Sequence, residues 1–177
     1  MCRKCLVLSV VIITCINAIA SNPKPKKKKL NWQSLEQVNE NFDSVRKPIL
    51  IDIYTTWCHY CKLMDATTYR NDSVVAYLHK NFYRYKLNAE TKESLTFRSK
   101  QYNYNQRYNL NDLAVYLSNG TIVFPTTVII TGDGQPFSQY GQLKAGELEL
   151  LLKYFTEVDY KKITIQEFAK SFTPKWK

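Results

Sequence analysis

Ile49-Leu50-Ile51-Asp52-Ile53-Tyr54-Thr55-Thr56-Trp57-Cys58-His59-Tyr60-Cys61-Lys62 is the stretch that decides how this chain is read. Its first half is a short apolar run rich in β-branched residues, the pattern of a strand buried on both faces. Asp52 is the exception inside it. A helix is expected to open near Cys58 and to run towards Thr68. A cysteine at a helix N-terminus faces unpaired backbone N–H groups and the positive end of the helix dipole. Both favour thiolate over thiol, and the thiolate is the nucleophile in disulfide exchange. Cys61 lies one turn further on the same helical face. We therefore read Cys58 as nucleophile and Cys61 as the resolving cysteine.

The rest of the cysteine inventory supports reactivity over stapling. The 177-residue chain has five cysteines. Cys2, Cys5 and Cys15 fall in a segment that reads as an export signal. Arg3 and Lys4 supply its charged start, Leu6 to Ile16 its apolar stretch, and Ala18-Ile19-Ala20 a small-x-small cleavage site. Cleavage after Ala20 is the favoured reading. Retention as an uncleaved anchor and lipid attachment at Cys15 are the alternatives, the second weakened by Thr14 in the preceding position. After cleavage only Cys58 and Cys61 remain. Bridging so close a pair constrains little of the unfolded chain, so stability is a poor reason for it. Half a zinc site is the other reading of a CxxC. Zinc needs about four ligands, and beyond these cysteines the chain has only His59 and His79. No metal and no organic cofactor is expected.

The formal net charge is +10, but it is concentrated at one end. Arg3, Lys4, Lys24 and Lys26 to Lys29 account for seven of the 25 basic residues, leaving 18 against 15 acidic ones. A nucleic-acid-binding domain carries its charge on the fold, so no nucleic-acid partner is expected. Residues 21–30 read as a basic flexible linker, with residues 24–29 either simply solvated or in contact with anionic lipid heads. Residues 31–177 then form the folded domain.

Along that domain, Ser34 is expected to cap a helix through Phe42, with Leu35, Val38 and Phe42 on one face. A second helix follows from Asp72, and Phe82 to Leu87 reads as a strand. Leu95-Thr96-Phe97 and Gln101 to Tyr104 read as hairpin arms. Asn111 looks like the cap of a helix ended by Asn119-Gly120. Thr121 to Thr131 is expected to be one strand, interrupted early by Pro125. Gly132-Asp133-Gly134 turns into a strand at Pro136–Tyr140. Ala145 to Phe155 and Ile165 to Phe172 complete the chain as helices. This order fits an α/β fold with a mixed central sheet flanked by helices.

The quoted stretch resembles the active-site strand and helix of the thioredoxin family, including the acid six residues before the first cysteine, the Trp before it and the Lys after the second. Lys86-Leu87-Asn88 resembles the next family strand, and Phe124-Pro125-Thr126-Thr127 the family's cis-proline segment. The likeness runs over about residues 45–157. It implies a thioredoxin-like fold, a cis Pro125 beside the cysteines, Asp52 as a buried acid that accepts a proton from Cys61, and Lys86 as its partner. Trp57 would pack beside the site or simply in the core. The candidate catalytic residues are Cys58, Cys61, Asp52 and Lys86. The candidate substrate contacts are Trp57, His59, Tyr60, Phe124 and Pro125.

Two departures stand out. His59 and Tyr60 replace the usual Gly-Pro, which leaves the redox direction open. Residues 89–120 form an insert with Tyr102, Tyr104, Tyr108 and Tyr116, read either as a partner-selecting surface or as a hairpin and helix over the sheet edge. The function expected is thiol–disulfide exchange with exported proteins, in the periplasm or after secretion, with electrons from or to a membrane partner. The rival is a non-catalytic thioredoxin-fold binding module of the cell envelope.

Overall fold

The computed structural model describes residues 29–44 and 47–177. The expected export signal at 1–20, most of the basic linker and the side chain of Phe42 lie outside the described residues. Helix α1 (Leu35–Ser44) leads to strand β1 (Ile49–Tyr54), helix α2 (His59–Ala66), a 3-10 turn at Thr68–Arg70, helix α3 (Asp72–Asn81) and strand β2 (Tyr83–Asn88). The insert contributes β3 (Leu95–Phe97), β4 (Lys100–Tyr102), β5 (Tyr104–Asn105), β6 (Leu110–Asn111) and helix α4 (Asp112–Leu117). Strands β7 (Thr126–Ile130) and β8 (Pro136–Tyr140), then helices α5 (Ala145–Glu157) and α6 (Ile165–Ser171), close the chain.

The central sheet has the order β2-β1-β7-β8, with β1 parallel to β2 and the other pairs antiparallel. This is the mixed sheet flanked by helices that the element order implied. Strand β1 is buried on both faces because its side chains alternate between two cores. Ile49, Ile51 and Ile53 face one core with α1, α4 and the insert residues Phe97, Tyr102 and Leu110. Leu50 faces the other, with Met64 of α2, Tyr69, Val74 and Leu78 of α3, and Leu148 and Leu152 of α5. Asp52 shares the Leu50 side.

Three expectations need correction. The insert packs on a sheet face, not over an edge; the outer side of β2 is met instead by Gln33, whose N–H reaches Arg84 O at 2.8 Å. Thr121 to Pro125 is not strand, and β7 begins only at Thr126. Tyr104 leaves the first hairpin and pairs with Asn111 in a second. In addition Leu30, assigned above to the linker, is only 4% exposed and packs in the second core, beside Trp32.

Candidate functional site

Strand β1 delivers the chain to a short loop, Thr55 to Trp57, and Cys58 then caps α2. The cysteine occupies the place a Ser or Asp would take, and its Sγ accepts the Cys61 N–H at 3.0 Å. Cys58 and Cys61 are joined as a disulfide, with Cα atoms 5.3 Å apart. They retain 4% and 3% of their surface, so the disulfide is almost wholly covered. The rings of His59 and Tyr60 stand 5.7 Å apart and edge to face. Trp57 is 68% exposed, which excludes the core-packing role considered for it.

Trp57 is held rather than loose. Its indole N–H donates to Glu90 Oε1 at 3.1 Å, while Glu90 Oε2 accepts the Thr56 N–H at 2.8 Å and the Thr56 hydroxyl at 2.9 Å. The Thr56 backbone amide, with the two side-chain donors, holds the Glu90 carboxyl below the usual carboxylate range. The Trp57 ring also meets Phe124 edge to face at 6.1 Å. The Phe124–Pro125 peptide bond is cis, as the resemblance implied. A cleft of about 260 Å³ is lined by Trp57, Phe124 and Ile122 together with Glu90, Tyr108 and Leu110 of the insert.

Behind the cysteines, on the face that α2 covers, lies the buried acid. Asp52 keeps 1% of its surface. Burial pushes its carboxyl up to about 6, against the pull of Lys86 and with the push of Asp65. Lys86 pairs with it across the parallel β1–β2 register, Nζ to Oδ2 at 3.5 Å. Lys86 also bonds the Asp65 carboxylate of α2 and lies over the Tyr54 ring. It is therefore no ordinary surface lysine, having 17% of its side chain exposed. Asp52 likewise sits on a central strand, not at the sheet edge.

Cys58 and Cys61 thus open α2, Asp52 pairs with Lys86, which also holds Asp65 of α2, and Trp57 meets Phe124, which joins Pro125 through the cis bond. Sequence reading missed Asp65 and Glu90. The signals were present: Asp65 follows Cys61 by one helical turn, and Glu90 follows the Lys86-Leu87-Asn88 strand at the point where the chain passes the CxxC loop. Among the described residues no group of three His, Cys, Asp or Glu side chains is placed to hold a metal ion. No helix among them is long and apolar enough to cross a membrane.

Comparison with solved structures gives the same architecture at low sequence identity. An oxidoreductase called DsbH matches with TM-score 0.55 and 14% identity, over 78% of this chain and 93% of its own. A thioredoxin-fold protein from Helicobacter pylori matches with TM-score 0.55 and 15% identity, over 78% and 89%. A thioredoxin from Thermus thermophilus matches with TM-score 0.56 and 13% identity, over 77% and 95%. No curated protein matches the chain. The model of the thioredoxin-like domain matches residues 35–156, which contain every element from α1 to all but the last residue of α5. With that match over most of its length, the chain belongs to the thioredoxin-like domain family.

Proposed function

We propose that this protein is a thiol–disulfide oxidoreductase acting on exported proteins. The observation that carries the reading is Cys58 at the cap of α2, its sulfur on the Cys61 amide and bonded to Cys61 itself. In the reduced protein the Cys58 thiolate attacks one sulfur of a substrate disulfide. A mixed disulfide forms and the other substrate sulfur leaves as thiolate. Cys61 then gives its proton to Asp52 and attacks Cys58 Sγ, which releases the second substrate thiol and restores the Cys58–Cys61 bond. Run backwards, the same steps oxidise a dithiol, and the reduction potential of the pair decides which way the protein works.

Trp57, His59, Tyr60, Phe124 and Pro125 form the surface that meets the substrate. The Pro125 carbonyl already accepts the Gly141 N–H at 2.8 Å, but β7 starts only at Thr126 and the backbone of Phe124 lies outside the strand ladder, where an extended peptide can lie alongside it. Lys86 tunes Asp52. Residues 1–20 direct export, and a membrane protein exchanges electrons with the pair. DsbH, an oxidoreductase of the same fold, agrees with this reading.

The test is trapping. A Cys61→Ser variant, reduced and mixed with insulin, is expected to accumulate a dithiothreitol-sensitive adduct through Cys58, and a Cys58→Ser variant none. A wild-type protein that neither reduces insulin nor shows a depressed Cys58 thiol pKa is the binding module instead.

A further inference from the structure

We propose that Tyr69 is a positioning residue for this chemistry: its buried hydroxyl, with that of Thr127, hydrogen-bonds the ionised Asp52 carboxylate and so sets the pH at which Asp52 takes up a proton. The proton-transfer role rests on the function proposed above; the contact does not.

The sheet register brings these groups to one place. Asp52 and Thr127 are opposite each other in the antiparallel β1–β7 pair, so their side chains leave the same face. Leu50 and Ile129 leave that face two residues away, and Tyr69 packs in one cluster with both. Tyr69 comes from the 3-10 turn just beyond α2 and is 4% exposed. Asp52, Tyr69 and Thr127 each carry an oxygen sealed from solvent, namely Asp52 Oδ1, Tyr69 Oη and Thr127 Oγ1. None of the three completes a hydrogen bond of good geometry among the described residues, yet the Tyr69 hydroxyl lies close enough to interact with both Asp52 and Thr127. Orphaned polar atoms in a packed interior are costly and need a reason.

The division of labour around Asp52 supplies one. Its Oδ2 faces the Lys86 ammonium at 3.5 Å, leaving Oδ1 for another donor. Lys86 reaches the acid from β2, the Asp65 charge acts on it from α2, Tyr69 from the turn, and Thr127 lies opposite it on β7. Of them only Tyr69 and Thr127 offer neutral O–H donors. Burial, and then the charge of Asp52, push the Tyr69 phenol well above its ordinary value, so it keeps its proton throughout the working range. It is a permanent donor beside an acid that must ionise before it can take the Cys61 proton. A donor to the charged form favours that form. Tyr69 therefore works against the desolvation that lifts Asp52.

Phenylalanine would keep the ring and its edge contact with Trp32 at 4.9 Å while removing only the O–H. The experiment follows the Asp52 carboxyl by ¹³C NMR in wild type, Tyr69→Phe and Thr127→Val, with Asp52→Asn to assign the signal, alongside the pH profile of insulin reduction. The Asp52 midpoint is expected to rise by about one pH unit in Tyr69→Phe, a tenfold change in proton affinity, and by less in Thr127→Val. The acidic limb of the rate profile moves with it. A midpoint that stays put in both variants while their spectra remain native overturns the proposal, as does a loss of stability with no change in titration. Absence of insulin reduction in wild type would count against the proposed function alone, since the carboxyl titration is read without any turnover.

Discussion

Lys86 Nζ stands 3.5 Å from Asp52 Oδ2 across adjacent parallel strands, and the same ammonium is shared with Asp65 on the helix above. A lysine divided between two carboxylates cannot fully neutralise either. That is why Asp52, despite a cation at hydrogen-bonding range, is held up at about 6 by burial.

Asp52 has its folded-state value raised above the ordinary 3.8 to about 6. Between those values the folded protein binds the proton that the unfolded chain has released, so stability falls as pH rises through this window and stays lower above it. Two units correspond to roughly 3 kcal/mol. Asp52→Asn should therefore be more stable than wild type at pH 7 by up to about that amount, with the difference vanishing near pH 3.5. Urea unfolding at both pH values measures it. An equal difference at the two would show that the carboxyl titrates alike in the folded and unfolded chain and that burial has not raised it.

Lys86→Met should move Asp52 the other way from a rescue. Removing the cation takes away the main influence that lowers the acid and leaves Asp65 facing it unshielded. The Asp52 midpoint should rise above 6, and the pH at which Cys61 resolves a mixed disulfide should rise with it. Stopped-flow decay of a preformed Cys58 adduct against pH gives the reading; an unshifted profile would separate Lys86 from the acid.

Much of this was legible in the chain because the local signals agreed with one another. The β1 run, the cap at Cys58 and the acid six residues earlier all point to one strand–loop–helix unit. Asn111 was recognisable as a cap, and its side chain does accept the Leu113 N–H at 3.0 Å. The misreadings have physical causes. Thr121 to Pro125 has strand-like composition, but the chain turns there and only Thr126 onwards enters the ladder. The first hairpin turns at Arg98-Ser99, both with positive φ and without the usual glycine. Nothing local therefore marked where its second arm ends. Glu90, Asp65 and Tyr69 act through groups distant in sequence, and the placement that unites them exists only once β1, β2 and α2 are packed.

Glu90 links the insert to the loop before Cys58. Glu90→Gln keeps the size but loses the charge that accepts from Thr56 and the Trp57 indole. Stability should fall by only about 1 kcal/mol, since the group is near the surface. The effect on exchange should be larger in KM than in kcat, because Trp57 walls the cleft and does not react. Steady-state insulin reduction, with Trp57 fluorescence as the check on the indole's surroundings, measures it; a pure kcat loss would place Glu90 in the chemistry instead.

The final prediction lies away from the cysteines, where the chain's last residues are strapped to α5. Glu149 is fully buried, and its Oε2 accepts the N–H groups of Lys175 at 2.6 Å and Trp176 at 2.8 Å, while Oε1 faces Lys153 Nζ at 2.9 Å. Trp176 in turn packs edge to face on Tyr77 at 5.3 Å. Burial pushes the Glu149 carboxyl up, but Lys153 and the two amides outweigh it and hold it below its ordinary 4.5. A depressed value means stability that is present above the ordinary glutamate pKa and lost as pH falls through the folded one. The strap should therefore loosen in acid. Glu149→Gln should cost roughly 2 kcal/mol at pH 7, since it removes the charge from three donors at once, and that cost should shrink on acidification. The indole N–H resonance of Trp176, followed from pH 7 to pH 3 in both proteins, reports on the strap directly. If it keeps its native position in the variant at pH 7, the tail is held by ring packing alone and the carboxylate contributes nothing to holding it.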